Sequence, residues 1–290
     1  MITRRCIGRR FFLTPNDKRI QDHILWCLAV YAERYGMLIH SFCFLSNHYH
    51  LVVTDTLGVY PSFTQAFNSA VARGVNAIRG RTGTFWDEGR THTAMLLSDE
   101  DMVREIAYTL SNPTSAGLVK WGHRWPGLTS YRMDFGLRKV LKRPDFFFAE
   151  GSKEDGKNKT SVLFQLSMPI LKEEKSPTEF RETILLETRQ RELQKQKTQH
   201  STGQRFCGER RIAHQSWWRA PRNREDRFGV VKRVSSSCKW SRIAKLQRNA
   251  QFEEEYAEAM SLRERGEDPE FPCGVWQLRV FHHVRVAGSP

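Results

Sequence analysis

Two histidines two residues apart, His48 and His50, open a run of aliphatic and β-branched residues that ends at Thr54. In a strand the side-chain period is two, so His48, His50 and Val52 share one face while Tyr49, Leu51 and Val53 share the other. Two imidazoles side by side on one face can hold one divalent ion, or act together on one anion. A surface strand that simply carries polar residues accounts for the same segment. A second candidate lies sixty residues on. From Ser98, apolar residues Met102, Val103, Ile106, Ala107 and Leu110 recur at helical spacing. Tyr108 falls almost opposite the centre of that stripe, and Asn112 lies one turn later on its side. Core filling does not put a tyrosine there. A phenol in such a place is either an ordinary half-exposed side chain or a nucleophile.

These residues need a scaffold, and the patterning supplies one. Met1 to Phe12 reads as a first strand, with Arg4, Arg5, Arg9 and Arg10 around it. Thr14-Pro15-Asn16-Asp17 reads as a helix start, with Pro15 in the opening turn. The repeat Ile20, Ile24, Leu28, Tyr31, Tyr35 predicts an amphipathic helix that Gly36 ends. A strand from Met37 to Leu45 turns at Ser46-Asn47 into the histidine strand, forming a hairpin. Pro61 to Arg79 is the second helix, and Phe85 to Leu97 a further strand interrupted near Asp87-Glu88-Gly89. Ser98 caps the third helix, with Asp101 in the box position and Pro113 making Asn112 its last or nearly last residue. The stripe on this helix should face the sheet. The order β-α-β-β-α-β-α predicts an α+β fold, a ferredoxin-like antiparallel sheet with helices on one face.

The chain has 290 residues, 39% hydrophobic and 11% aromatic, enough to bury a core. Its net charge of +14 favours a polyanionic partner over a small neutral substrate. Six scattered cysteines form no Cys-x-x-Cys pair, so neither a zinc knuckle nor a dense disulfide framework is indicated. No leader-like segment or apolar run near 18 residues stands out; the expectation is a cytoplasmic protein with reduced thiols and no membrane contact.

The run from His40 to Val53, containing Leu45-Ser46-Asn47-His48-Tyr49-His50, resembles the signature of IS200-like, single-tyrosine transposases of the HUH endonuclease superfamily. Tyr108 to Val119, with Asn112-Pro113-Thr114-Ser115-Ala116-Gly117, resembles the family's second landmark. Its Asn-Pro-x-x-Ala-Gly form is closest to the branch associated with repeated extragenic palindromes. The two landmarks stand in the family's order and the resemblance covers roughly residues 1–135. Ser46 stands where a proline is common, and Tyr49 is larger than the usual aliphatic residue between the histidines. The resemblance implies that His48 and His50 bind a Mg²⁺ or Mn²⁺ ion, that Asn112 offers it a third polar group, and that Tyr108 is the nucleophile. It implies single-stranded or hairpin DNA as substrate and a 5′-phosphotyrosine intermediate. It leaves monomer and homodimer open, and places the protein on the nucleoid when bound to DNA.

Arg5, Arg9, Arg73, Arg79, Arg81 and Arg90 are the basic candidates for backbone affinity. After a catalytic domain at 1–135, residues 136–177 read as a linker, with a short helix over Asp134 to Pro144 and a polar stretch at 151–159. Residues 178–290 read as a basic, mainly helical region. Within it, 181–224 hold eleven Lys/Arg against four Asp/Glu, with Trp217-Trp218. That stretch suits nucleic acid, and a solvated helix with two buried tryptophans suits it as well. Lys239 to Leu246 and Phe252 to Leu262 read as two helical pieces, and Val275 to Phe281 as β-like. Three readings of function follow: the DNA strand transferase, a nucleic-acid-binding regulator that has lost catalysis on the same fold, and an ordinary metal hydrolase.

Overall fold

The computed structural model describes residues 1–89, 91–145, 159–221 and 233–288. Strands β1 (Ile2–Arg5), β2 (Met37–Phe44), β3 (His48–Asp55) and β4 (His92–Thr93) form one sheet in the order β2-β3-β1-β4, each neighbour antiparallel. Helix α1 (Lys18–Arg34) connects β1 to β2, and α2 (Tyr60–Ile78) connects β3 to β4, so each crossover spans one intervening strand. The chain is thus a mixed α+β protein. The first strand stops at Arg5, and a 3-10 turn at Ile7–Arg9 takes over. Helix α1 starts later than its proline suggested, because the Asp17 carboxylate caps it by accepting from the Arg19 backbone.

Strand alternation divides the sheet by chemistry. Phe42, Phe44, Tyr49 and Leu51 face α1 and α2, where Ile24, Leu28, Phe63, Phe67 and Val71 complete a dry core. Aromatic rings dominate it: Tyr49 lies 5.7 Å from Phe67 and 5.6 Å from Trp86. The Tyr49 hydroxyl donates to Asn68 Oδ1 at 2.7 Å, which answers the question its size raised. Close approach of α1 and α2 depends on Gly74, since a Cβ there would overlap the ring of His23. That ring is buried and donates from Nε2 to the Ala70 carbonyl at 3.0 Å.

Helix α3 (Asp99–Ser115) lies on the opposite face, so the helices are not all on one side as the sequence predicted. Its Ile106 and Leu110 pack on Val52 and on Phe180 and Ile184 of α4 (Pro177–Ser201), sharing the stripe between sheet and helix. Ser98 accepts from the Asp101 backbone, but the Asp101 side chain turns away from the box to Arg104 and the Ser237 backbone. Pro113 does not end α3. It sits in the last turn, where the helix gives up the bond its N–H would make to the Thr109 carbonyl but runs on to Ser115, and Asn112 is therefore interior to the helix.

Part of the 136–177 segment is structural. Strands β5 (Met95–Leu96), β6 (Lys139–Lys142) and β7 (Ser161–Phe164) follow, and β6 pairs with β7 where a short helix was expected. Leu141, Val162, Phe164 and Leu166 enter the main core. The Ser167 backbone then donates to the Ile39 carbonyl, and Ser130 to Phe42, covering the free edge of β2. At the bulge in β2, His40 donates from Nδ1 to the Ser167 carbonyl at 2.7 Å and accepts at Nε2 from Thr54 at 2.8 Å. The stretch at 151–158 lies outside the described residues.

In the last third, α5 (Glu209–Ala213) buries Ile212 against Leu45 and Trp125. Strand β8 (Val234–Ser235) pairs with β5, and α6 (Lys239–Glu264) is one continuous helix rather than two. Residues 276–282, read as β-like, form helix α7 (Trp276–His282) between the short parallel strands β9 (Glu270–Phe271) and β10 (Arg285–Val286). Trp217 is half-buried and packs against the main core while Trp218 is exposed, so the two are not both buried. No helix among the described residues is long and apolar enough to cross a membrane.

Candidate active site

The tight Ser46-Asn47 turn places His48 at the very start of β3, at the sheet's end, and alternation keeps His50 on the same face. The two rings lie 5.0 Å apart, centroid to centroid, and nearly perpendicular. Helix α3 crosses above them and lowers Tyr108 onto His50, with ring centroids 5.4 Å apart. Asn112, one turn further on the same helix, is near enough to the Tyr108 phenol to favour its ionised form. Four residues that the sequence spreads over 65 positions therefore meet on one face of the sheet.

Each histidine has one nitrogen engaged from behind. Asn47 donates from Nδ2 to the Arg9 carbonyl at 3.2 Å, which fixes its Oδ1 as the acceptor for His48 Nδ1 at 2.7 Å. In the neutral ring the lone pair of His48 is then on Nε2. His50 Nδ1 lies 3.0 Å from Thr3 Oγ1, while its Nε2 is buried without a hydrogen-bond partner. A buried polar atom left bare costs about 1–3 kcal/mol. Here the cost coincides with a donor aimed into a polar site, with the outer nitrogen oriented by a neighbour as metal-binding histidines require. Burial, reinforced by Arg5 and Arg9, pushes His48 down to about 4. Burial, then His48, Arg5 and His92, hold His50 well below the ordinary histidine range. Both rings are neutral at pH 7, the form that ligates a cation. Among the described residues no three His, Cys, Asp or Glu side chains converge as a metal group.

Tyr108 is half-buried, and burial followed by the Glu105 carboxylate raises its phenol above the ordinary range. Asn112, Arg5 and Arg191 oppose that rise and favour the phenolate. Glu105 is itself held by Ser235, whose hydroxyl donates to Oε1 at 2.5 Å.

The six arginines separate. Arg5 stands opposite His48 in the β1–β3 register, and Arg9 acts on the same imidazole. Arg73 lies on α2, against the other face of the sheet, bonded to Ser69. Arg79 is tied to the Phe12 and Thr14 carbonyls at 2.9 and 3.2 Å and stacks over Trp217. Arg81 bonds Asn76 and the Thr84 carbonyl and lies 4.1 Å from the centre of the Phe12 ring. Arg79 and Arg81 thus fasten the 12–16 and 76–85 segments rather than face the site. Arg90 lies outside the described residues. Sequence reasoning missed Thr3, Asn47 as a ring support, and Arg191. Asn47 stood in the motif and was read only as a turn; Thr3 and Arg191 carry no local signal.

No family model, curated protein or solved structure matches this chain.

Proposed function

We propose that the protein is a metal-dependent single-stranded DNA endonuclease and strand transferase that works through a 5′-phosphotyrosine intermediate. The observation that carries this reading is the meeting of His48, His50, Tyr108 and Asn112, with the His50 Nε2 buried and unpartnered. The sheet order β2-β3-β1-β4, with two split β-α-β crossovers, supports a ferredoxin-like arrangement of the IS200-like kind, with α3 as the nucleophile helix on the histidine face.

His48 Nε2, His50 Nε2 and Asn112 would hold Mg²⁺ or Mn²⁺, and such an ion would polarise the oxygens of a phosphodiester placed there. Asn47 and Thr3 keep the two imidazoles turned toward that point. Tyr108 Oη attacks phosphorus, the P–O3′ bond breaks, and the strand leaves with a free 3′-OH. The phenol gives its proton to solvent as it attacks, the departing O3′ takes one from solvent, and Arg5 and Arg191 favour the phenolate form that does the attacking. Because the bond is kept as a phosphotyrosine, a second 3′-OH can reverse the reaction and join a new strand. This reading suits a monomer or either half of a homodimer. A DNA-bound, cytoplasmic protein follows from this reading.

The test is denaturing electrophoresis of the protein with 5′- and 3′-labelled single-stranded hairpin DNAs, in Mn²⁺ or Mg²⁺ and in EDTA. The expected result is a metal-dependent protein–DNA adduct that Tyr108→Phe abolishes. Binding without an adduct across varied flanking sequences would leave a catalytically retired regulator. Turnover without an adduct would leave an ordinary hydrolase.

A further inference from the structure

A cavity of about 420 Å³ opens beside the hairpin that carries His48, and nothing in the proposed chemistry uses it. Its walls are Phe11 and a short stretch of the distant basic region, with Arg211, His214, Gln215 and Arg219 the chemically active groups. Three contacts fix its place. The Phe11 backbone donates to the Arg219 carbonyl at 2.9 Å, Ser46 Oγ donates to Gln215 Oε1 at 3.4 Å, and Ile212 is fully buried against Leu45. Ser46 is two residues from His48, so one wall of the cavity touches the turn that positions the candidate catalytic strand.

Its chemistry is uneven in a useful way. The Arg211 and Arg219 side chains are exposed and engage no hydrogen-bond or ion-pair partner among the described residues. Two neighbouring arginines are occupied instead: Arg124 pairs with Glu209, and Arg10 stacks on Trp218 at 4.8 Å and bonds its carbonyl. Among the described residues no carboxylate lines the cavity, while a phenyl ring and an imidazole do. Two uncommitted guanidinium groups suit a phosphate, and flat rings beside an amide suit a base that has left its stack. A duplex presents no such unstacked base.

We propose that this cavity is a subsite for one nucleotide of a single DNA strand flanking the scissile phosphate. Arg211 and Arg219 take the backbone phosphate, Phe11 and His214 take the base, and Gln215 reads its edge. The proposal rests on the reading of the histidine–tyrosine site as the cleavage centre and adds to it a role for the C-terminal region. That region then sets which strand enters, through residues the first 135 positions do not contain.

The test is fluorescence anisotropy with a labelled single-stranded oligonucleotide across a salt series, on the full chain, for wild type, R211Q/R219Q and Arg73→Gln. The expected outcome is roughly tenfold weaker binding for the double variant. The log–log salt slope should fall by about 0.7, the share of the one single-strand phosphate that the two arginines hold. Arg73→Gln, on the far face, should bind as wild type. Both altered arginines are exposed, so a folded variant is expected and circular dichroism verifies it. A 5-iodouracil strand, irradiated and mapped by mass spectrometry, should crosslink to Phe11 or His214. An unchanged slope and affinity, or crosslinks only outside the cavity walls, would overturn the proposal. The Tyr108 adduct assay separates the two ideas: an intact adduct with unaltered binding removes the subsite alone, and weakened binding without any adduct removes the cleavage chemistry alone.

Discussion

On one face of the sheet, Phe42, Phe44, Tyr49 and Leu51 meet α1 and α2 through rings five to six ångströms apart, and the lone hydroxyl among them is satisfied by Asn68. On the other face, a residue away along the same strand, His48 and His50 meet Tyr108 and Asn112, and a buried nitrogen is left bare. The first face is saturated and the second is not. The saturated face gains free energy by excluding water from apolar area; the other forgoes part of that gain to keep polar atoms aimed at one point. A face that carries such a cost while its neighbour is close-packed is the one to suspect of chemistry.

Substitutions can break this contrast in a graded way. Phe67→Ala, in the aromatic face, should cost about 3–5 kcal/mol, read as a fall in the denaturation midpoint with an unchanged slope. Acid should weaken the fold apart from the site. Burial holds His23 and His40 down to about 4, so their neutral forms stabilise the fold fully above about 6.5. That contribution is lost as pH falls from about 6.5 to 4, up to about 3 kcal/mol for each, and His40→Gln should flatten the stability profile across that window. Tyr49→Phe should cost about 1–3 kcal/mol, because Asn68 Oδ1 is left buried without its donor. Ser98→Ala should cost about 1 kcal/mol by uncapping α3, leaving the midpoint slightly lower. His50→Gln, on the open face, should change stability by less than about 1 kcal/mol and abolish the metal-dependent adduct. Mn²⁺ should raise the melting temperature of the parent and not of this variant. A large destabilisation by His50→Gln, matching that of Phe67→Ala, would erase the distinction between the faces.

Much of the first half was legible because its elements carry strong periodicity. The α1 repeat, the β2–β3 hairpin and the α2 stripe are where the spacing puts them. The placement of α3 was not legible, since its stripe serves α4 as well as the sheet and the sequence does not say which face a helix covers. Strand β6 hides because only Leu141 of Lys139–Lys142 is buried, too little to show alternation. Residues 276–282 favour strand by composition, yet tertiary packing of Leu278 in the Phe271–Tyr256 cluster accompanies a helix there. At the site, the histidine pair and Tyr108 could be singled out, while Thr3 and Arg191 could not. Their roles come from strand register and from a helix more than eighty residues downstream.

Gly74 has a consequence for how this chain can vary. Its place is kept by space, not by an unusual backbone angle, because the ring of His23 fills the volume where a side chain would begin. Any residue other than glycine there would drive the imidazole off the Ala70 carbonyl and spread α1 from α2. The two positions are therefore one unit of inheritance: a descendant could gain a methyl at 74 only in company with a smaller residue at 23. The order of the two steps is set as well, since shrinking His23 first leaves a void, whereas enlarging Gly74 first leaves a clash.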